Sequence, residues 1–173
     1  AEGIEKQIND HVNCARLAKK AGYDGVEIIG SAGYLISTFL VEKTNRRTDE
    51  YGGSYENRMR FALEVVRRCR AEVGDDFIII FRIAGMDMLE GGMSWDEVAL
   101  LSRELEKAGA SIISTHFTWH EASVPTIATM VPRAAFTSVT ARVRGEVSIP
   151  VMTSNRINMP QVAEDVRSRG DAD

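Results

Sequence analysis

The sequence predicts an α/β fold, a (β/α) barrel represented here by four strand–helix units. Short apolar runs alternate with amphipathic stretches that each stop at a glycine: Gly22, Gly74, Gly109, Gly145 and Gly170. The spare chemistry follows each apolar run rather than preceding it, and parallel α/β sheets place their ligands beyond the carboxyl ends of the strands. No G-x-G-x-x-G fingerprint follows any strand, which favours a barrel over an open dinucleotide-binding sheet. An eight-unit barrel takes about 250 residues. Four units in 173 residues therefore read as a piece of one barrel domain, residues 1–173, without its early strands and at least its last one. Its open strand edges would invite self-association.

Residues 2–20 carry Ile4, Ile8, Val12, Ala15 and Ala18 at three- and four-residue steps, the mark of an amphipathic helix. Lys19 and Lys20 suit its carboxyl end electrostatically. His11 sits on its flank and reads as a surface or half-buried helix residue. Residues 24–29 form a short strand in which Glu27 must be paired or reach solvent; a structural partner and a ligand contact both remain open for it. Residues 35–39 suit a short helix, and 44–53 a long polar loop ending in Gly52-Gly53. Loops this long in compact domains commonly have a function, although Arg46, Arg47, Asp49 and Arg58 could simply hold it together by ion pairs.

Ser54 is placed to cap a helix that runs to Val73, with Phe61, Val65, Cys69 and Val73 on one stripe. Phe77–Ile83 is apolar at nearly every position, the pattern of a strand buried on both faces of a parallel sheet. Arg82 within it needs an anion or a dense set of acceptors, and the pattern leaves structural and ligand-binding roles open. Ser94 and Glu97 have capping-box spacing ahead of a helix ending at Gly109. Ala110–Thr115 is the next strand. Phe136–Arg144 reads as a short helix and Ile149–Thr153 as a strand. Asn158 and Gln161 have capping spacing for a helix to Arg169, and Ala172-Asp173 looks like the first step of one more strand. Beyond the third strand, His116 and His120 compete on spacing. Trp119 reads as channel wall or packing, and Glu121 as an orienting group or turn cap.

Composition narrows the partners. Apolar residues make up 44% of the chain and charged residues 27%, with a net charge of -4. These values are ordinary for a folded protein and give no reason to expect nucleic acid. Cys14 and Cys69 stand alone, so no C-x-x-C metal site is readable; both fall on helices and read as buried thiols. No apolar run approaches the ~20 residues needed to cross a bilayer, no targeting segment is read, and a cytoplasmic location is the default expectation. No lysine lies at a strand end, which argues against a Schiff-base lyase.

Several motifs in order carry a resemblance. Gly25-Val26-Glu27-Ile28 with Gly33-Tyr34-Leu35, then Asn45 through Ser54, then Glu56-Asn57-Arg58-Met59-Arg60-Phe61 resemble the old yellow enzyme family of FMN-dependent oxidoreductases. Phe77–Arg82, Trp119-His120-Glu121-Ala122, Pro125–Thr129, Thr153–Asn158 and Ser168–Asp173 resemble its dienoyl-CoA reductase branch. The resemblance covers nearly the whole chain. It implies a partial (β/α)8 TIM barrel, about strands 4 to 7 with the start of strand 8.

By the same resemblance, Tyr34 is the proton donor and His120 its partner, Arg82 faces the flavin pyrimidine edge, and Arg156 holds the FMN phosphate. The implied cofactor is FMN; NADPH, FAD and a [4Fe–4S] cluster would be held by regions outside this chain. The implied substrate is a conjugated 2,4-dienoyl-CoA thioester. Other activated alkenes, or a barrel piece without activity of its own, are the alternatives. Many family members carry a histidine near Ile29 and a histidine or asparagine near Ala32, and neither is present. The branch has an acidic residue where Ala32 stands.

Overall fold

A computed structural model describes residues 2–173. Its sheet has four strands in the order β1-β2-β3-β4, every neighbouring pair parallel. The strands are β1 (Gly25–Gly30), β2 (Ile78–Met86), β3 (Ile112–Phe117) and β4 (Val151–Met152). Helices α1 (Glu2–Lys20), α2 (Leu35–Leu40), α3 (Tyr55–Arg58), α4 (Arg60–Val73), α5 (Trp95–Ala108), α6 (Thr137–Arg144) and α7 (Pro160–Ser168) fill the rest. Strand order follows chain order, as in a barrel wall, and β1 and β4 each have one neighbour. This is an α/β fold consistent with a partial (β/α)8 barrel.

The core lies on one side of the sheet. Ile79, Phe81 and Ile83 of β2, Ile28 of β1 and Ile113 of β3 bury against the stripes of α1, α4 and α5. Phe61, Val65, Val66 and Cys69 on α4 are at most 1% exposed; side chains of that size each contribute about 1.5–3 kcal/mol on burial. The α1 stripe buries Ile4, Ile8 and Ala15 as its spacing predicts. Cys14 departs from expectation. It is exposed, while Cys69 is buried; Cys14 borders the open groove beside β1.

Strand β2 corrects the sequence in two ways. It runs three residues further than expected, to Met86, with a register shift between Ala84 and Met86. It is also not buried on both faces. Register pairs Glu27 with Ile80, Ile29 with Arg82, Arg82 with Ser114 and Ser114 with Met152. These residues share the face opposite the helices, where Ile29, Ile78 and Met152 are 40–41% exposed. Within residues 2–173, the second face of β2 has no covering layer.

The amino-terminal ends of the strands are tied by Arg70. Its guanidinium donates to the carbonyls of Gly109 (2.9 Å) and Phe77 (2.7 Å) and to Ser111 Oγ (2.8 Å). Capping follows prediction in one place and not in two others. Ser94 and Glu97 form the reciprocal box at α5. Ser54 occupies the N-cap of α3 without a side-chain capping bond, and the expected helix is divided at Met59. Met159 rather than Asn158 is the N-cap of α7, with Pro160 at its first turn. Asn158 Oδ1 instead accepts from Arg133 Nε at 3.1 Å.

Candidate functional site

The turn after β1 is built for close approach. Ala32 and Gly33 have φ of 63° and 90°, a region open to glycine and costly for alanine. Ser37 Oγ accepts from the Gly33 N–H (3.0 Å) and lies 2.8 Å from the Tyr34 carbonyl. Tyr34 emerges 53% exposed at the start of α2. After β3, Thr118 turns with φ 97° and its N–H donates to the Met86 carbonyl at 2.8 Å. Trp119 then forms a parallel bridge with Ala32, and the His120 N–H donates to the Ala32 carbonyl at 3.4 Å. Two loops 86 residues apart in sequence are thereby stitched together. The Tyr34 and His120 rings meet edge-on, centroids 5.0 Å apart and planes at 80°.

Arg82 lies on the open face beside this rim. Its Nε and Nη2 donate to Glu27 Oε1 (3.0 Å) and Oε2 (2.7 Å), a bidentate pair. This supplies the partner that both residues required. His116 pairs in register with Ala84 on the same face. Burial first, then the positive Arg82 and the neighbouring His120, hold its imidazole below the usual range, so it favours the neutral form. His116 and His120 thus separate by location: His116 is on the strand, and His120 is in the loop against Tyr34.

Arg156 lies beyond β4 on the far side of the rim. Asn155 and Arg156 both have positive φ, 63° and 66°. Asn155 Nδ2 donates to Thr126 Oγ1 at 2.6 Å, which binds this turn to the loop after β3. The Arg156 Nε donates to the Val131 carbonyl at 2.8 Å, with Nη2 3.4 Å from the Thr129 carbonyl. Among the described residues no carboxylate lies within ion-pairing distance of Arg156. A guanidinium held by neutral carbonyls keeps its charge available for an anion, and a phosphate matches that donor set.

Sequence reasoning missed Asp87. It is 2% exposed, and its carboxylate accepts from Trp119 Nε1 and from the Met93 N–H, both at 2.7 Å. Burial raises its carboxyl above the usual range. The only signal was a lone acid within the apolar stretch Ile83–Leu89. Other expectations resolve more plainly. The loop at 44–53 is held by Arg47–Asp49 and by Arg58, which pairs with Glu97 and Glu42; Arg46 joins no ion pair among the described residues. Among those residues, too, no three His, Cys, Asp or Glu side chains converge on a metal site. The [4Fe–4S] cluster that the resemblance implied thus has no ligand set here. Among the described residues, no helix is long and apolar enough to cross a membrane. An apolar groove of about 490 Å³ follows β1, touching both Val26 and Ile29 and reaching the rim only at Tyr34. It is a feature of the sheet edge.

Several known proteins are similar to this chain. A "Metal reductase" of Desulforamulus reducens is 45% identical over 172 residues, covering 99% of this chain and 26% of its own length. An "NADH oxidase" of Thermoanaerobacter brockii is 38% identical over 172 residues, covering 98% and 26%. Among solved structures, a 2-naphthoyl-CoA reductase in complex with 2-naphthoyl-CoA superposes with a TM-score of 0.94 at 34% identity, over 98% of this chain and 26% of that one. The chain thus spans about a quarter of the length of these relatives. A family model described as NADH:flavin oxidoreductase / NADH oxidase matches residues 1–173. With that match running the full length of the chain, the protein belongs to the NADH:flavin oxidoreductase / NADH oxidase family of flavin-dependent enzymes.

Proposed function

We propose that this chain supplies the proton-delivery rim and part of the cofactor cradle of an FMN-dependent reductase of activated alkenes. The four strands would be strands 4 to 7 of a single FMN-binding (β/α)8 domain, with Ala172-Asp173 opening strand 8. The Asp173 N–H already donates to the Val151 carbonyl at 3.0 Å, the backbone contact expected of a returning neighbour. FMN, when bound and reduced by a nicotinamide, would supply a hydride to the alkene carbon β to an electron-withdrawing carbonyl. The protein must then protonate the α carbon as charge withdraws from the carbonyl oxygen. Tyr34 donates its phenolic proton there, and His120 restores it, since a phenol with a pKa of about 10 is a weak acid unaided. Arg156 would hold the cofactor phosphate. Arg82, shared with Glu27, would present positive charge to the ring.

The observation that carries this reading is the meeting of the Tyr34 and His120 rings at 5.0 Å on the carboxyl side of a parallel sheet. Their test belongs in the full-length flavoprotein. Tyr34→Phe and His120→Ala should retain flavin and its reduction by nicotinamide, yet slow reoxidation by the alkene by roughly 10²–10⁴-fold. Unchanged reoxidation in both variants would remove the pair from the mechanism. Arg156→Met should weaken flavin retention instead.

The substrate can be narrowed to a conjugated acyl-CoA thioester such as a 2,4-dienoyl-CoA, with NADPH as donor. Two points support the thioester: the likeness to a reductase solved with 2-naphthoyl-CoA, and Ile29 and Ala32 standing where carbonyl-gripping side chains would suit a small enone. Comparing turnover of a dienoyl-CoA with a simple cyclic enone tests it, and preference for the enone would return the broader reading.

A further inference from the structure

We infer that Asp87 is a positioning residue, which fixes the indole of Trp119 and through it the relative placement of Tyr34 and His120. The inference rests on those two residues forming the proton-delivery pair. Its starting point is an expensive group without an evident purpose. A carboxylate 2% exposed carries a large desolvation cost, and among the described residues no lysine or arginine forms an ion pair with it. Its two oxygens are each spent on one donor: Oδ1 on Trp119 Nε1–H and Oδ2 on the Met93 N–H. Charge-assisted bonds of this kind are about twice as strong as neutral ones. The chain therefore places a strong acceptor where it orients one indole and anchors the β2–α5 loop.

The indole is a lever on both members of the pair. The Trp119 ring packs on Gly33, where an added Cβ would lie 3.0 Å from ring atom Cε3, and the Trp119 backbone bridges Ala32. Tyr34 follows Gly33 directly, and His120 follows Trp119 directly. Fixing one ring therefore sets the origin of both functional side chains. Gly92 completes the arrangement, since a Cβ there would fall 2.8 Å from Asp87 Cβ. That glycine lets the loop close over the carboxylate. Neither Asp87 nor Trp119 needs to touch the substrate to act in this way.

The test uses the full-length flavoprotein with the two half-reactions measured separately by stopped-flow absorbance. Asp87→Asn keeps the shape, but its amide meets two donors with one acceptor oxygen, so one bond is lost. Trp119→Phe removes Nε1–H from the other side and serves should Asp87→Asn fail to fold. Each should slow flavin reoxidation by the alkene roughly ten- to hundredfold, as a small misplacement does, and leave flavin content and reduction by nicotinamide unchanged. In a Tyr34→Phe background the same substitutions should cause no further slowing. Equal slowing in both backgrounds, or none in either, overturns the inference. If Tyr34→Phe alone leaves reoxidation unchanged, the proton-pair reading fails first and takes this one with it.

Discussion

Arg58 shows how much of a sequence motif is architecture. Its side chain is 4% exposed; it donates to the Leu40 carbonyl, lies 3.3 Å from the Gly53 carbonyl and pairs with Glu97 and Glu42. Around it, Asn45 Nδ2 donates to the Phe39 and Tyr51 carbonyls, both at 2.7 Å. A Cβ on Gly52 would fall 2.3 Å from the Arg47 carbonyl oxygen. The polar loop that carries the family resemblance is thus a self-bonded strap closed by one buried guanidinium. Arg58→Met should cost about 3–5 kcal/mol, because Glu97 and two carbonyls are left facing a thioether. Chemical unfolding of the variant checks this, and a loss under 1 kcal/mol would mean that the strap is held elsewhere. Apart from the Gly53 carbonyl, the acceptors of Arg58 are 16 to 39 positions away in sequence, so no local pattern could separate a structural arginine from a ligand-binding one. The same limit holds for Arg82, whose partner Glu27 lies 55 positions away in sequence.

The helices were legible because each buries a single stripe, and their ends were legible only where a side chain carries out the capping. At α5 the Ser94 Oγ accepts from the Glu97 N–H, and Glu97 accepts in return from the Ser94 N–H at 2.9 Å. At α7 the same spacing is idle: Met159 is the cap and Pro160 presets the first turn without needing a donor. The contrast makes a paired prediction. Ser94→Ala should lower stability by about 1 kcal/mol, while Asn158→Ala should stay within about 0.5 kcal/mol, as surface changes do. Equal losses in denaturant melts would show that spacing alone, rather than the bond, sets the cap. Strand lengths were less legible. Register continues through β2 only by a shift at Gly85, and an apolar run cannot reveal whether a neighbour covers its second face.

At the level of the whole molecule, packing and chemistry are segregated. The core fills one side of the sheet. Tyr34, Arg82, His116, His120 and Arg156 gather toward its open face and the carboxyl ends of its strands. Fold class was readable from alternation of runs and helices. The Tyr34–His120 pairing was readable only through resemblance, since 86 residues separate them, and Asp87 carried no motif at all. Segregation has a consequence for pH. His116 is the group on the open face whose imidazole is held below its usual value of 6.5, by burial, then Arg82, then His120. The unfolded chain therefore binds its proton first as pH falls. Stability from this source is complete above pH 6.5 and is lost between 6.5 and the depressed folded value. A second loss follows below the ordinary aspartate value of 3.8. There Asp49, held at about 2 mainly by Arg47, and Asp171 and Asp173, held down mainly by Arg169 and Arg144, must take up protons. Asp87, raised mainly by burial, runs the other way and in a different window: its contribution is fully present below 3.8 and is lost as pH rises through its raised folded value. The melting temperature should thus rise from pH 5 to pH 7 in the unaltered protein, and His116→Gln should flatten that rise while leaving the limb below pH 4 in place. A His116→Gln profile that parallels the parent across both windows would assign the neutral limb to another group.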